Sequence, residues 1–244
     1  MGREPCIFGQ PDCRSCHVFK HTDWQVLEGA DLAALSDGVT RREYQPGEAV
    51  YSAGEPNRGI YCISGGALGI KKTDAEGNAI LVHLAYPGET LGYRSFLQGG
   101  EHKTTAEAFE PSFVCHIKSD AVRRILGHNP KLGLQFLGRA TRELEEAHEA
   151  MLQSSTLSNR ARFIHLLALL LRRHGRRGPD GSGSIHLPLN RRDLAGMIGT
   201  RHETLSRIIG RLEAEGLANF SGREVHVANI GALLGEIGAD APPC

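Results

Sequence analysis

The stretch Arg201-His-Glu-Thr-Leu-Ser-Arg207 stands between two helical patterns, Arg191 to Ile198 before it and Ile208 to Glu215 after it, and its reading decides the fold of the C-terminal part. Upstream, Asn190 can cap a helix carrying Leu194, Met197 and Ile198 on one face, and Gly199-Thr200 supplies a tight turn and a second cap. The pattern is helix, turn, helix. The second helix places Leu205, Ile208, Ile209 and Leu212 inward, which leaves Arg201, His202, Glu203, Ser206, Arg207 and Arg211 on or near the outer face. These side chains suit a DNA groove. A guanidinium binds the O6 and N7 edge of guanine with two hydrogen bonds, and a carboxylate accepts from the cytosine amino group, so Arg207 and Glu203 suit neighbouring base pairs. Thr200, His202 and Arg211 suit phosphates. Beyond Gly216, Ala218-Asn-Phe-Ser-Gly-Arg-Glu-Val-His-Val227 makes two alternating runs about Ser221-Gly222, the pattern of a β-hairpin wing.

The run from Leu189 to Val227 resembles the winged helix-turn-helix of the CRP/FNR family of bacterial transcription regulators. Glu203-x-x-Ser206-Arg207 matches the recognition motif of its FNR branch, whereas the CRP branch has glycine at the position of Ser206. The resemblance implies double-stranded DNA as a partner, read as a palindrome with TTGAT half-sites. It puts Arg207 on guanine, Glu203 on the paired cytosine side and Ser206 at a thymine.

Composition permits this. At 244 residues, 40% hydrophobic and 23% charged, the chain can build one large or two modest domains. No apolar run reaches the roughly 18 residues of a membrane helix, and Met1-Gly-Arg-Glu-Pro-Cys6 lacks the apolar core of a signal peptide, so a soluble cytoplasmic protein with no membrane partner is expected. The formal net charge is zero, but it divides unevenly. Residues 157–227 hold 12 Lys/Arg against 6 Asp/Glu, leaving 16 against 22 elsewhere, so the positive charge travels with the helix-turn-helix, as phosphate binding requires.

From Asp23 to Ser119 short alternating segments recur: Ala49-Val-Tyr-Ser52, Gly59-Ile-Tyr-Cys-Ile-Ser64, Ala67-Leu-Gly-Ile-Lys71, Ala79-Ile-Leu-Val-His-Leu84 and Phe113-Val-Cys-His-Ile117. Turn signals separate them, among them Gln45-Pro-Gly-Glu48, Glu76-Gly-Asn78 and Tyr86-Pro-Gly-Glu89, which predicts a small all-β roll or jelly roll. It resembles the cyclic-nucleotide-binding fold of the same family. The family's cAMP sites carry Gly-Glu-Leu and, about eleven residues after that glycine, Arg-Ser. With Gly92 on the glycine, Tyr93 replaces the ribose-binding glutamate and Lys103-Thr104 replaces Arg-Ser, so no cAMP is expected.

The cysteines supply the sensor chemistry. In a cytoplasmic chain, Cys6, Cys13, Cys16, Cys62, Cys115 and Cys244 argue for metal or redox chemistry over a disulfide framework. Cys6, Cys13 and Cys16 lie in a loop-like segment with Gly9, Pro11 and Asp12, and three thiolates there can close on one face of a cluster. Glu110-Pro-Ser-Phe-Val-Cys-His-Ile117 resembles the strand that carries the distal cluster cysteine of the FNR branch. That resemblance implies a 4Fe-4S iron-sulfur cluster on Cys6, Cys13, Cys16 and Cys115, answering to oxygen or nitric oxide. The FNR branch spaces its proximal cysteines Cys-x2-Cys-x5-Cys, while here the longer gap comes first. The order leaves open another nuclearity, a zinc site with His17 as substitute ligand, and a thiol switch or small-molecule gate. Cys62 reads as core and Cys244 as tail.

Between sensor and reader, Pro130 to Ser158 is one continuous helical pattern with Leu134, Leu137, Leu144, Ala147, Met151 and Leu152 near one face. Such a stripe pairs with its own copy, and in the family this helix dimerises, so a homodimer is implied, with RNA polymerase as its transcriptional partner. By the same resemblance, a charge near Glu146 resists dimerisation when no cluster is bound. Asn159 to His174 reads as a second apolar helix and Arg176 to Ser184 as a glycine-rich connection. The fold class is α+β, with a sensor arm over 1–20, a β-roll over 21–127, a dimerisation helix over 128–157 and a winged helix-turn-helix over 158–244. With neither a nucleophile elbow nor a phosphate loop, and no βαβ context for Cys13-x-x-Cys16, an enzyme is not expected.

Overall fold

The computed structural model describes residues 13–75 and 79–237, so Cys6, Cys244 and the turn Glu76-Gly-Asn78 lie outside the described residues. Two compact units divide between Glu145 and Glu146.

The first unit is built on a β-roll. Strands β1 (Val39–Tyr44), β2 (Ala49–Tyr51), β3 (Gly59–Gly65), β4 (Leu68–Thr73), β5 (Ala79–Ala85), β6 (Thr90–Leu91), β7 (Thr105–Ala108) and β8 (Ser112–Lys118) form two four-stranded sheets, ordered β1-β8-β3-β6 and β2-β7-β4-β5. Every pairing is antiparallel. Alternation sends Tyr61, Ile63 and Val114 into the roll, where they meet Tyr44, Tyr51, Leu68 and Ile70. It sends Ile60, Cys62 and Ile117 to the opposite face. Helices cover that face: α1 (Gly29–Gly38), α2 (Tyr93–Gln98), α3 (Ser119–His128) and the start of α4 (Pro130–Thr156). Leu32, Leu35, Phe96, Val122, Ile125, Leu132 and Phe136 complete this second core. The sequence pattern predicts a wholly β unit here, and α1, α2 and α3 are additions to it. They are short, with ten, six and ten residues, too few turns to establish a helical period in the sequence.

An internal ion pair ties the entry of the chain to α4. Arg139 Nε donates to Asp23 Oδ2 at 2.7 Å, with Asp23 only 4% exposed. Trp24 follows it and meets the Phe136 ring edge-on at 5.6 Å.

The roll interior holds buried imidazole. His102 stacks on Tyr51 at 3.9 Å between ring centroids, with Nδ1 3.1 Å from Ser95 Oγ. Burial keeps His102 and His116 below the usual imidazole range, so the unfolded chain takes up protons first as pH falls. Stability held above about pH 6.5 is therefore expected to decline on acidification, and replacing His102 with glutamine should flatten that decline in thermal melts between pH 7 and 5.

Helix α4 has 27 residues. Leu137, Leu144 and Met151 recur every seven positions along it, with Ala140 and Ala147 between, and the three large side chains are more than half exposed.

The second unit contains α5 (Asn159–His174), β9 (Arg176–Arg177), β10 (Gly183–His186), α6 (Arg191–Met197), α7 (His202–Ala214), β11 (Ala218–Ser221), β12 (Glu224–Val227) and α8 (Ile230–Gly235). Its sheet runs β11-β12-β10-β9. The expected connection from Arg176 to Ser184 thus contributes two strands, whose arginines and glycines hid the pairing. Phe163, Ile164, Leu167, Leu170 and Leu171 of α5 are buried.

Candidate DNA interface and cysteine site

Helix α6 begins at a complete capping box. Asn190 Oδ1 accepts from Arg192 N at 2.9 Å and Asp193 N at 3.0 Å, while Asn190 N donates to Asp193 Oδ2 at 3.1 Å. The turn then needs a left-handed residue, and Gly199 takes φ +64° there. The cap of α7 is Arg201 and not the expected Thr200, and Arg201 makes no side-chain cap bond. Thr200 Oγ1 instead accepts from Asn159 Nδ2 at 3.0 Å, joining the turn to α5. The uncapped start of α7 leaves its first N–H groups pointing outward, a geometry that suits phosphate.

Leu205, Ile208, Ile209 and Leu212 of α7 are buried as expected. Arg201, His202, Glu203, Arg207 and Arg211 are exposed, and no ion pair occupies them among the described residues. Ser206 differs. It is half-buried, and its Oγ is shielded and has no hydrogen-bond partner among the described residues. The wing packs beside this helix: Phe220 N donates to Glu213 Oε1 at 3.1 Å, and the Phe220 and Phe163 rings stack at 5.9 Å. Arg160 Nη2 at the head of α5 reaches Glu236 Oε2 at 2.8 Å. Arg160 also pairs with Glu215 at the C-cap of α7, so α7 is tied to α5 as well as to the wing.

The four described cysteines, Cys13, Cys16, Cys62 and Cys115, gather at the helix-covered face of the roll. Cys13 is buried in a short 3₁₀ turn, with its backbone N donating to Ser36 Oγ at 3.3 Å and Arg41 Nη2 3.9 Å from its sulfur. Cys16 closes that turn through its N–H to Cys13 O at 3.2 Å. Cys115, half-buried on β8, packs against the core cluster that contains Cys13 and Cys62. Burial, and then the nearby Cys115, Cys16, Asp23 and Cys13, push the Cys62 thiol well above its ordinary pKa. Sequence reasoning reads Cys62 as plain core. Its place across from Cys115 follows from strand register, which no local pattern carries. His17 is exposed.

The FNR-branch spacing, counted from Cys13, puts its third cysteine at Thr22. The Thr22 hydroxyl is buried, donates to Phe19 O at 2.8 Å and accepts from Trp24 N at 3.2 Å. The donors at hand are thiols, the ligand type an iron-sulfur cluster takes. No group of three or more His, Cys, Asp or Glu among the described residues is arranged to hold a metal ion, and Cys6 lies outside them.

At the family's nucleotide-binding positions, Tyr93 is buried and stacks on Phe136 at 5.7 Å. Arg94 is exposed and pairs with Glu143 at 3.5 Å. No helix among the described residues is long and apolar enough to cross a membrane.

Comparison with known proteins finds a cyclic nucleotide-binding domain over residues 41–129 and a Crp-like helix-turn-helix domain over residues 161–235. The anaerobic regulatory protein of Pasteurella multocida is 25% identical over 223 residues, 91% of this chain and 81% of that protein. The fumarate and nitrate reduction regulatory protein of Vibrio cholerae is 24% identical over 223 residues, 91% of this chain and 88% of that protein. Among solved structures, FixK2 from Bradyrhizobium japonicum matches with a TM-score of 0.73 at 26% identity, over 84% of this chain and 99% of its own.

Proposed function

Since this chain belongs to the CRP/FNR family of DNA-binding transcription regulators, and is not an enzyme, we propose that it is an anaerobic or redox-responsive member that grips FNR-like palindromic operators as a homodimer. The observation that carries the DNA half is the outer face of α7, where Glu203, Arg207, Arg201 and Arg211 stand exposed beside an uncapped helix start. In this reading Arg207 takes guanine, Glu203 the paired cytosine and Ser206 a thymine through a small rotation that uncovers its hydroxyl, while Thr200, His202 and Arg211 face phosphates. RNA polymerase is the second partner, in the cytoplasm. Fluorescence anisotropy with a TTGAT palindrome and a scrambled duplex tests it; equal affinity for both at about 150 mM salt sinks it.

For the sensor we propose a 4Fe-4S iron-sulfur cluster on Cys6, Cys13, Cys16 and Cys115. Support comes from the gathering of three of these thiols on one face of the first unit and from relatives named as anaerobic regulators. Such a cluster, when bound, supplies an oxygen-labile group. The chain's own part is to hold it: Ser36 fixes the Cys13 backbone, and Arg41 sets a positive charge beside that sulfur. Protein purified without air should carry about four irons and four sulfides per chain, and replacing Cys13 and Cys16 with serine should remove them together with the oxygen response of DNA binding. A thiol switch or zinc site is the second reading. It is favoured by the order of the cysteine gaps, the longer one first, which departs from the FNR branch, and colourless protein would select it.

The dimer rests on the exposed stripe of α4. Leu144→Glu would place a carboxylate at the centre of the Leu137, Leu144, Met151 row, and sedimentation should then show a monomer at concentrations where the parent is a dimer. Glu146 belongs to the same helix and pairs with Arg173 of α5, which lowers the cost of its charge near a partner helix.

A further inference from the structure

The sheet order β1-β8-β3 places three residues in one row. Register sets Arg41 opposite Cys115 and Cys115 opposite Cys62. Residues directly opposite on antiparallel neighbours share a face, and this one is the helix-covered face, where Cys62 is buried beside Ile60 and Ile117. Opposed Cα atoms in such a ladder lie about 4.5–5.5 Å apart, inside the roughly 4.4–6.8 Å that a disulfide spans. The two cysteines therefore need little backbone movement to join. They also differ in access: Cys115 is only partly buried and Cys62 fully so. Arg41, whose guanidinium reaches the Cys13 sulfur at 3.9 Å, adds a fixed positive charge at the open end of the row.

We propose that Cys115 and Cys62 are a peroxide-oxidised thiol pair that closes a disulfide between β8 and β3. Hydrogen peroxide or an alkyl hydroperoxide is the oxidant. The Cys115 sulfur attacks the nearer peroxide oxygen, an S–O bond forms as the O–O bond breaks, and the departing oxygen takes a proton to leave as water or alcohol. The Cys62 sulfur then attacks the Cys115 sulfur. The S–S bond forms, the S–O bond breaks, and the hydroxyl departs as water with the Cys62 proton. Two thiols are oxidised by two electrons and one peroxide is reduced. Arg41 stabilises negative charge on sulfur during the first step. The pair goes beyond the cluster reading and shares only Cys115 with it; once the disulfide forms, Cys115 is withdrawn as a metal ligand.

The test uses the full-length chain, reduced, stripped of metal by chelation and treated with stoichiometric hydrogen peroxide, then alkylated and mapped without reductant. The expected result is one dominant linked peptide pair joining Cys62 to Cys115, two hydrogens lighter than its parts and released by dithiothreitol. Cys62→Ser should lose that link and leave Cys115 as a sulfenic acid trapped by dimedone. If the serine variant folds poorly, Cys62→Ala, checked by circular dichroism, takes its place. Linkage of Cys115 to Cys13 or Cys16 instead, or over-oxidation of Cys115 with no link, overturns the proposal. Iron content of anaerobically purified Cys62→Ala separates the two ideas. Iron equal to the parent leaves the pair standing, iron lost from the variant makes Cys62 a ligand and overturns it, and a parent without iron fails the cluster reading while the peptide map still decides the pair.

Discussion

Arg207→Ala is expected to cost about 2–6 kcal/mol of operator affinity, because a bidentate guanine contact is worth about 1–3 kcal/mol and a dimer makes it in both half-sites. That is between roughly thirty-fold and twenty-thousand-fold in Kd. Arg207 is exposed on α7, so the change leaves the buried Leu205, Ile208 and Ile209 untouched and the helix should stay folded. The loss should also be selective, with the guanine position relaxing while affinity for scrambled DNA falls little. Arg211→Ala, one turn further on, should weaken all duplexes alike and lower the slope of log affinity against log salt by about one for each phosphate no longer neutralised. An Arg207→Ala protein that still prefers the TTGAT palindrome would assign guanine recognition to another residue.

Asp23→Asn is expected to destabilise the first unit by about 3–5 kcal/mol, the usual cost of removing one member of a buried ion pair. Arg139 is 17% exposed at its side chain and stays charged, so its guanidinium would lose its 2.7 Å partner with little water to replace it. Denaturant melts should show the loss, and Asp23→Asn combined with Arg139→Met should recover much of it, since the neutral pair leaves no stranded charge. Asp23 also stands near the Cys62 thiol, so the single variant should loosen the N-terminal cysteines and speed alkylation of Cys13. An unchanged melting curve would mean that the pair contributes nothing net.

The second unit was legible because its signals are local. Asn190 and Asp193 announce a capping box, Gly199 the turn, and Ser221-Gly222 the hairpin, each acting within a few residues. The main strands of the roll were legible for the same reason, through alternation and turn dipeptides. Strand β1 was not, because Thr40-Arg-Arg-Glu43 looks like solvated loop until β8 pairs with it. The site was legible only in part. Cys13, Cys16 and Cys115 are singled out by residue type and resemblance, but that Cys62 faces Cys115 and that Tyr93 packs on Phe136 are facts of long-range pairing. The shielded hydroxyl of Ser206 likewise depends on what surrounds α7, which helical spacing does not state.

The seam between the two compact units falls at Glu145 and Glu146, yet α4 crosses it unbroken. Compactness and backbone chemistry thus mark different places to part the chain. A fragment begun at Glu146 opens in mid-helix, with its first four amide N–H groups stripped of acceptors. One begun at Ser158 opens on a side chain that already accepts from Ala161 N at 3.2 Å and starts α5 on its own. Grafts between relatives follow the same logic: a joint at the Leu157–Ser158 step lets the reader head travel whole, so sensors upstream can be exchanged without rebuilding what touches DNA.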